Sequence, residues 1–165
     1  MGGINPRRRK CFYVYNPKTE PGMKKKLNCV LLVDDNEPDN FLHARIIEKA
    51  GIADFVRVSL NGEDALDLLG AWCSPGQAGN SAPLPELIFL DINMPLMDGW
   101  EFMDEFRKLE KIHSGRTVIV MLTSSLNPSD ISRTERYLGS GCLQRKPLTP
   151  ETLQEIIRQH FPDYI

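Results

Sequence analysis

LIFLDINMPLMDGWEF, residues 87–102, decides how the chain folds. The run ELIFL (86–90) is almost wholly apolar and stops at Asp91, so it reads as a short strand covered on both faces. Past Met94–Pro95 and Asp98–Gly99 the periodicity changes. Phe102, Met103, Phe106 and Leu109 recur at helical spacing, which predicts a helix over about 99–110, with Gly99 as a helix-start residue. A buried strand that hands over to an amphipathic helix through a polar loop is the building block of a parallel sheet.

The same alternation extends in both directions. Strands are predicted upstream at 29–33 (CVLLV) and 55–59 (FVRVS), and downstream at 117–121 (TVIVM) and 142–144 (CLQ). The runs at 29–33, 86–90 and 117–121 are the most continuously apolar, so they belong in the middle of the sheet. A helix over about 38–50 is expected to bury Phe41, Leu42 and Ile46, and a second carries the stripe Ala65, Leu68, Leu69, Trp72. Asn127 and Pro128 open a helix at 128–138 whose stripe, Ile131 and Leu138, is thin; it should be the most mobile. Thr149 and Pro150 open the last, with Leu153, Ile156, Ile157 and His160 on one side. The fold class is α/β, a three-layer sandwich of five parallel strands flanked by five helices. Residues 73–85 (CSPGQAGNSAPLP) read as a long surface loop.

Composition narrows the function. At 165 residues the chain fits one domain, assigned to 27–163. No stretch approaches the ~18 consecutive apolar residues of a membrane span, and the start lacks a secretory apolar segment. A cytoplasmic protein with no membrane partner is the expectation. Cys11, Cys29, Cys73 and Cys142 are scattered and read as reduced thiols without metal spacing. The net charge of −2 is uneven: residues 1–26 carry eight Lys and Arg against one acid, +7, which leaves −9 for the rest. That basic extension is read as a disordered arm or vector remnant, with Met23 before Lys24–Lys26 as the natural start.

In an open parallel sheet, ligands gather outside the carboxyl ends of the strands. The first predicted strand is followed there by Asp34 and Asp35, the third by Asp91, the fourth by Thr123 and Ser124, and the fifth by Lys146. Neighbouring strands lie ~4.8 Å apart, and two carboxylates ~5 Å apart repel by roughly 3 kcal/mol at an effective dielectric of 20. A cation must sit among them, and Mg²⁺, which takes hard oxygen ligands, is the natural one. A phosphoryl group on Asp91 would meet the cation, the Lys146 ammonium and the Thr123 hydroxyl. His43, His113 and His160 are assigned surface or packing roles.

These stretches, LLVDDN (31–36), NGEDAL (61–66), LIFLDINMPLMDGWEF (87–102), VIVMLTSS (118–125) and KPL (146–148), together resemble the receiver domain of two-component response regulators over about residues 28–161. The resemblance implies a flavodoxin-like, CheY-like sheet of order 2-1-3-4-5. It implies that Asp91 is phosphorylated by a sensor histidine kinase, that Asp35, Asp34, Asp91 and the Asn93 backbone carbonyl hold Mg²⁺, and that Thr123 and Lys146 contact the phosphoryl group. It also implies a cis Lys146–Pro147 bond. One departure stands out: Leu143 occupies the position, three before the lysine, where receivers commonly carry an aromatic switch residue.

Two other readings compete. A Mg²⁺-dependent phosphohydrolase would need an acid two residues after the nucleophile, where this chain has Asn93. An interaction module without phosphorylation would not need the full set of acids, Thr and Lys. The expected protein is a single-domain phosphoacceptor without a DNA-binding domain, with at most slow self-dephosphorylation. It would signal to a downstream protein target, or to a second copy as a homodimer, through the 128–161 face.

Overall fold

The alternation of short strands and helices resolves into a single sheet with helices on both faces. The computed structural model describes residues 12–14, 25–72, 84–110 and 117–164. In chain order the elements are β1 (Phe12–Val14), β2 (Leu27–Val33), α1 (Glu37–Ala50), β3 (Ala53–Ser59), α2 (Gly62–Trp72) and β4 (Leu87–Asp91). Then follow α3 (Gly99–Glu110), β5 (Val118–Thr123), α4 (Pro128–Leu138), β6 (Leu143–Arg145), α5 (Pro150–His160) and a 3₁₀ turn, Pro162–Tyr164. Most of the expected 73–85 loop, His113, Cys11, Cys73 and the Trp72 side chain lie outside the described residues.

The sheet order is β1-β3-β2-β4-β5-β6. The five parallel strands thus run second, first, third, fourth, fifth, as the flavodoxin-like expectation has it, and the three most apolar ones are central. The sixth strand was not anticipated. β1 comes from the extension set aside above and pairs antiparallel with β3, Phe12 opposite Val58 and Val14 opposite Val56. The reason is physical: the outer edge of β3 offers unpaired N–H and C=O groups, and FYV has the aromatic and β-branched side chains that suit a strand.

Because side chains alternate across a strand, β2 feeds two cores at once. Val30 and Leu32 pack with Ala44 and Ile47 of α1 and with Leu153, Ile156 and Ile157 of α5. Leu31 and Val33 face the opposite layer, with Ala65 and Leu69 of α2 and Phe102, Met103 and Phe106 of α3. Full burial of each Val, Leu, Ile, Phe or Met side chain among these contributes about 1.5–3 kcal/mol. The caps at Asn127 and Thr149 form as read, their side chains accepting the Asp130 and Thr152 N–H groups.

Helix α1 departs from its expected face. Phe41 is 71% and Leu42 43% exposed, Ile46 is half-buried, and the buried residues are Asn40, His43, Ala44 and Ile47. Asn40 Nδ2 donates to the Asp34 carbonyl at 2.7 Å, and His43 Nε2 accepts the Leu148 N–H at 3.1 Å. Two loops at the carboxyl edge need these polar partners once buried, and that need decides which side of the helix meets the sheet, leaving Phe41 and Leu42 toward water.

Candidate functional site

The parallel register brings the ends of β2, β4 and β5 side by side, with Val33 opposite Leu90 and Asp91 opposite Leu122. Each strand then releases its polar residue at the same edge. Asp34 and Asp35 follow β2, Asp91 ends β4, Thr123 ends β5, and Lys146 directly follows β6 and is joined to Pro147 by a cis bond. One carboxylate oxygen from each of Asp34, Asp35 and Asp91 lies within 4.8 Å of the others. Asp34 and Asp91 are buried, whereas Asp35 is exposed.

The loop geometry fixes the two buried acids. Asp34 Oδ1 accepts the Asn36 N–H at 2.9 Å, and Asp91 Oδ1 accepts the Asn93 N–H at 3.3 Å. Asp98 caps α3, accepting from the Trp100 and Glu101 N–H groups, while Glu101 accepts in return from the Asp98 N–H. Gly99 does more than start that helix: a Cβ there would lie 2.6 Å from the Asp91 carbonyl oxygen and 2.9 Å from Ile92 Cα. Only glycine lets α3 begin this close to the strand that carries Asp91.

Lys146 is the counterion. Its Nζ lies 2.6 Å from Asp34 Oδ2, 3.2 Å from Asp91 Oδ2 and 3.3 Å from Asp39 Oδ2. Burial, and then the Asp34 charge, push the Asp91 carboxyl above its usual range despite the pull of Lys146. Burial would lower the Lys146 ammonium, but its ion pairs with Asp34 and Asp91 overcome that and hold it above its usual value. An acid made costly to ionise beside other acids, with oxygens converging on one point, fits a small hard divalent cation such as Mg²⁺. Asp34, Asp35 and Asp91 are the side chains that could hold it.

Asp34, Asp35, Asp91 and Lys146 therefore converge as sequence reasoning had them. Thr123 is buried at the same edge, but its hydroxyl donates to the Ser125 carbonyl at 2.9 Å. Asn93 is exposed and touches Asp91 through its N–H. Asp39 and Asn40 were missed. Both sit on the first turn of α1 just past the paired acids, but spacing alone does not show that they reach the site. Leu143 is half-buried and packs against the α2–α3 core layer. The nearby aromatic contact is on α4: Tyr137 meets Trp100 edge-on at 6.0 Å, and Arg107 stacks on Tyr137 at 4.4 Å.

Comparison with known proteins gives the same picture. A family model described as "Response regulator receiver domain" matches residues 30–158. The probable methanogenesis regulatory protein FilR2 of Methanothrix harundinacea is 28% identical over 131 residues, 79% of each chain. Hybrid signal transduction histidine kinase I of Dictyostelium discoideum is 28% identical over 138 residues, which is 82% of this chain but 7% of that protein. Among solved structures, a two-component response regulator from Cytophaga hutchinsonii superposes with a TM-score of 0.69 at 27% identity, over 84% of this chain and 99% of that one.

Proposed function

Because the chain belongs to the response regulator receiver family, whose members generally bind Mg²⁺ at an acidic pocket, we propose that it accepts a phosphoryl group on Asp91 from a sensor histidine kinase in a Mg²⁺-dependent reaction. The observation that carries this reading is the convergence of the Asp34, Asp35 and Asp91 oxygens beside the Lys146 ammonium. Asp34, Asp35, Asp91 and the Asn93 carbonyl would hold the cation, which when bound neutralises charge on the transferring phosphoryl oxygens. An oxygen of Asp91 forms the new P–O bond as the P–N bond of the donor histidine breaks, and the imidazole leaves with the electron pair. Lys146 turns from Asp91 to a phosphoryl oxygen. The Thr123 hydroxyl, now bonded to Ser125, exchanges that partner for another and pulls the β5–α4 loop with it.

Output then passes through α4, β6 and α5 to a downstream protein target or to a second copy of the chain. On α4 the single buried residue is Thr134, and β6 is a sheet edge ending in exposed Arg145, so this face has little core to resist repacking. No described helix is long and apolar enough to cross a membrane, and a cytoplasmic site of action belongs to the same proposal. A phosphohydrolase reading finds no support at position 93, where the residue is an exposed amide.

The test is acylphosphate labelling. With acetyl phosphate and Mg²⁺, intact mass spectrometry should show one phosphoryl group added to the wild type and none to Asp91→Asn or to wild type in chelator. Labelling of Asp91→Asn, or none in the wild type, overturns the proposal.

A further inference from the structure

An ammonium has three N–H donors. Lys146 Nζ donates to Asp39 Oδ2 at 3.3 Å and pairs with the Asp34 and Asp91 carboxylates, so the resting pocket holds the ammonium from three sides before any phosphoryl oxygen arrives. The three acids are not equivalent. Asp34 and Asp91 are buried, each tied by a backbone N–H, and both belong to the metal cluster. Asp39 lies on the first turn of α1, outside that cluster, with its side chain 33% exposed. Water can solvate its carboxylate once the contact breaks.

We infer that Asp39 is a positioning residue for Lys146, holding the ammonium in the resting pocket and giving it up when a phosphoryl group forms on Asp91. The inference rests on the phosphoacceptor reading of Asp91 and adds a regulator to that site. Two effects of opposite sign follow from Coulomb's law. The ammonium and a divalent cation compete for the oxygens of Asp34 and Asp91. By offering the ammonium an alternative partner, Asp39 favours entry of the cation, and its own charge adds to the attraction. Once the cation is in place, the same carboxylate competes with the phosphoryl oxygens for Lys146, so it weakens the phosphorylated state.

The backbone of Asp39 already has its role in the helix start, its N–H donating to Asn36 Oδ1 at 3.0 Å, so an amide at this position keeps the helix cap. Calorimetric titration of wild type, Asp39→Asn and Asp39→Glu with Mg²⁺, then with fluoroberyllate at saturating Mg²⁺, separates the two effects. Asp39→Asn should bind Mg²⁺ about threefold to fivefold more weakly and fluoroberyllate more tightly by a similar factor, the range open to a partly exposed ion pair. Asp39→Glu should restore the wild-type order. Parallel weakening of both ligands would mark a merely structural role and overturn the inference, as would two unchanged affinities. A wild type that binds Mg²⁺ but not fluoroberyllate would instead overturn the phosphoacceptor reading itself.

Discussion

His43 is 1% exposed, and its Nε2 accepts the Leu148 N–H, so the ring is neutral with its proton on Nδ1. Burial lowers its pKa from the ordinary 6.5, with Lys146 adding to the shift and Asp34 and Asp39 opposing it. The sign of the linkage follows directly. The unfolded chain takes up a proton near the ordinary value and the folded chain resists it. The stabilisation is therefore complete above about pH 6.5 and is lost as pH falls through the depressed folded value, with a slope of up to ~1.4 kcal/mol per pH unit. Urea unfolding of the wild type should lose stability between about pH 7 and pH 5, before most carboxylates titrate. His43→Asn should start lower but show a shallower slope across that interval; an identical slope in both proteins contradicts the assignment. At this scale Asp91 was legible because it ends an apolar run. Asp39 was not, because its role depends on where the flexible Lys146 chain reaches, which sequence spacing does not state.

Among the elements, α1 separates apolarity from burial most clearly. Ile47 is 1% exposed and sits in the layer shared with α5, whereas Phe41 is the larger side chain but lies 71% in water. Ile47→Ala should cost about 2–4 kcal/mol through lost transfer energy and a residual cavity. Phe41→Ala should stay within about 0.5 kcal/mol, as surface substitutions do. Chemical denaturation of the two variants checks the pair, and a larger loss for Phe41→Ala would restore the apolar phase for the helix. The strands β2, β4 and β5 were legible as short, continuous apolar runs, and the helices α3 and α5 because a 3.6-residue periodicity dominates each. The phase of α1 was hidden because Asn40 and His43 are buried to satisfy loop backbone, a tertiary demand. β1 was hidden because three strand-prone residues sit within a basic, proline-containing stretch whose partner, the edge of β3, exists only after the sheet has formed.

Over the whole molecule, the fold gathers at one edge acids that are distant along the chain, and residues 27–165 carry −9. Lys146 offsets part of the repulsion between Asp34 and Asp91, while Asp35 is exposed and outside the three Lys146 contacts. A cation that binds the folded chain alone stabilises it by mass action, by about 2.7 kcal/mol at a hundredfold excess over its dissociation constant. For a domain of this size each kcal/mol moves the melting temperature by about 2–6 °C. Mg²⁺ should therefore raise the wild-type melting temperature by several degrees, and chelator should reverse the rise. Asp35→Ala removes a metal oxygen without removing a partner of Lys146, so it should abolish the Mg²⁺ response. In chelator it should melt at or above the wild-type temperature, because the remaining acids repel less. A melting temperature below wild type in chelator would mean that Asp35 contributes a favourable contact to the metal-free fold, and the picture of mutually repelling carboxylates awaiting a cation would fail.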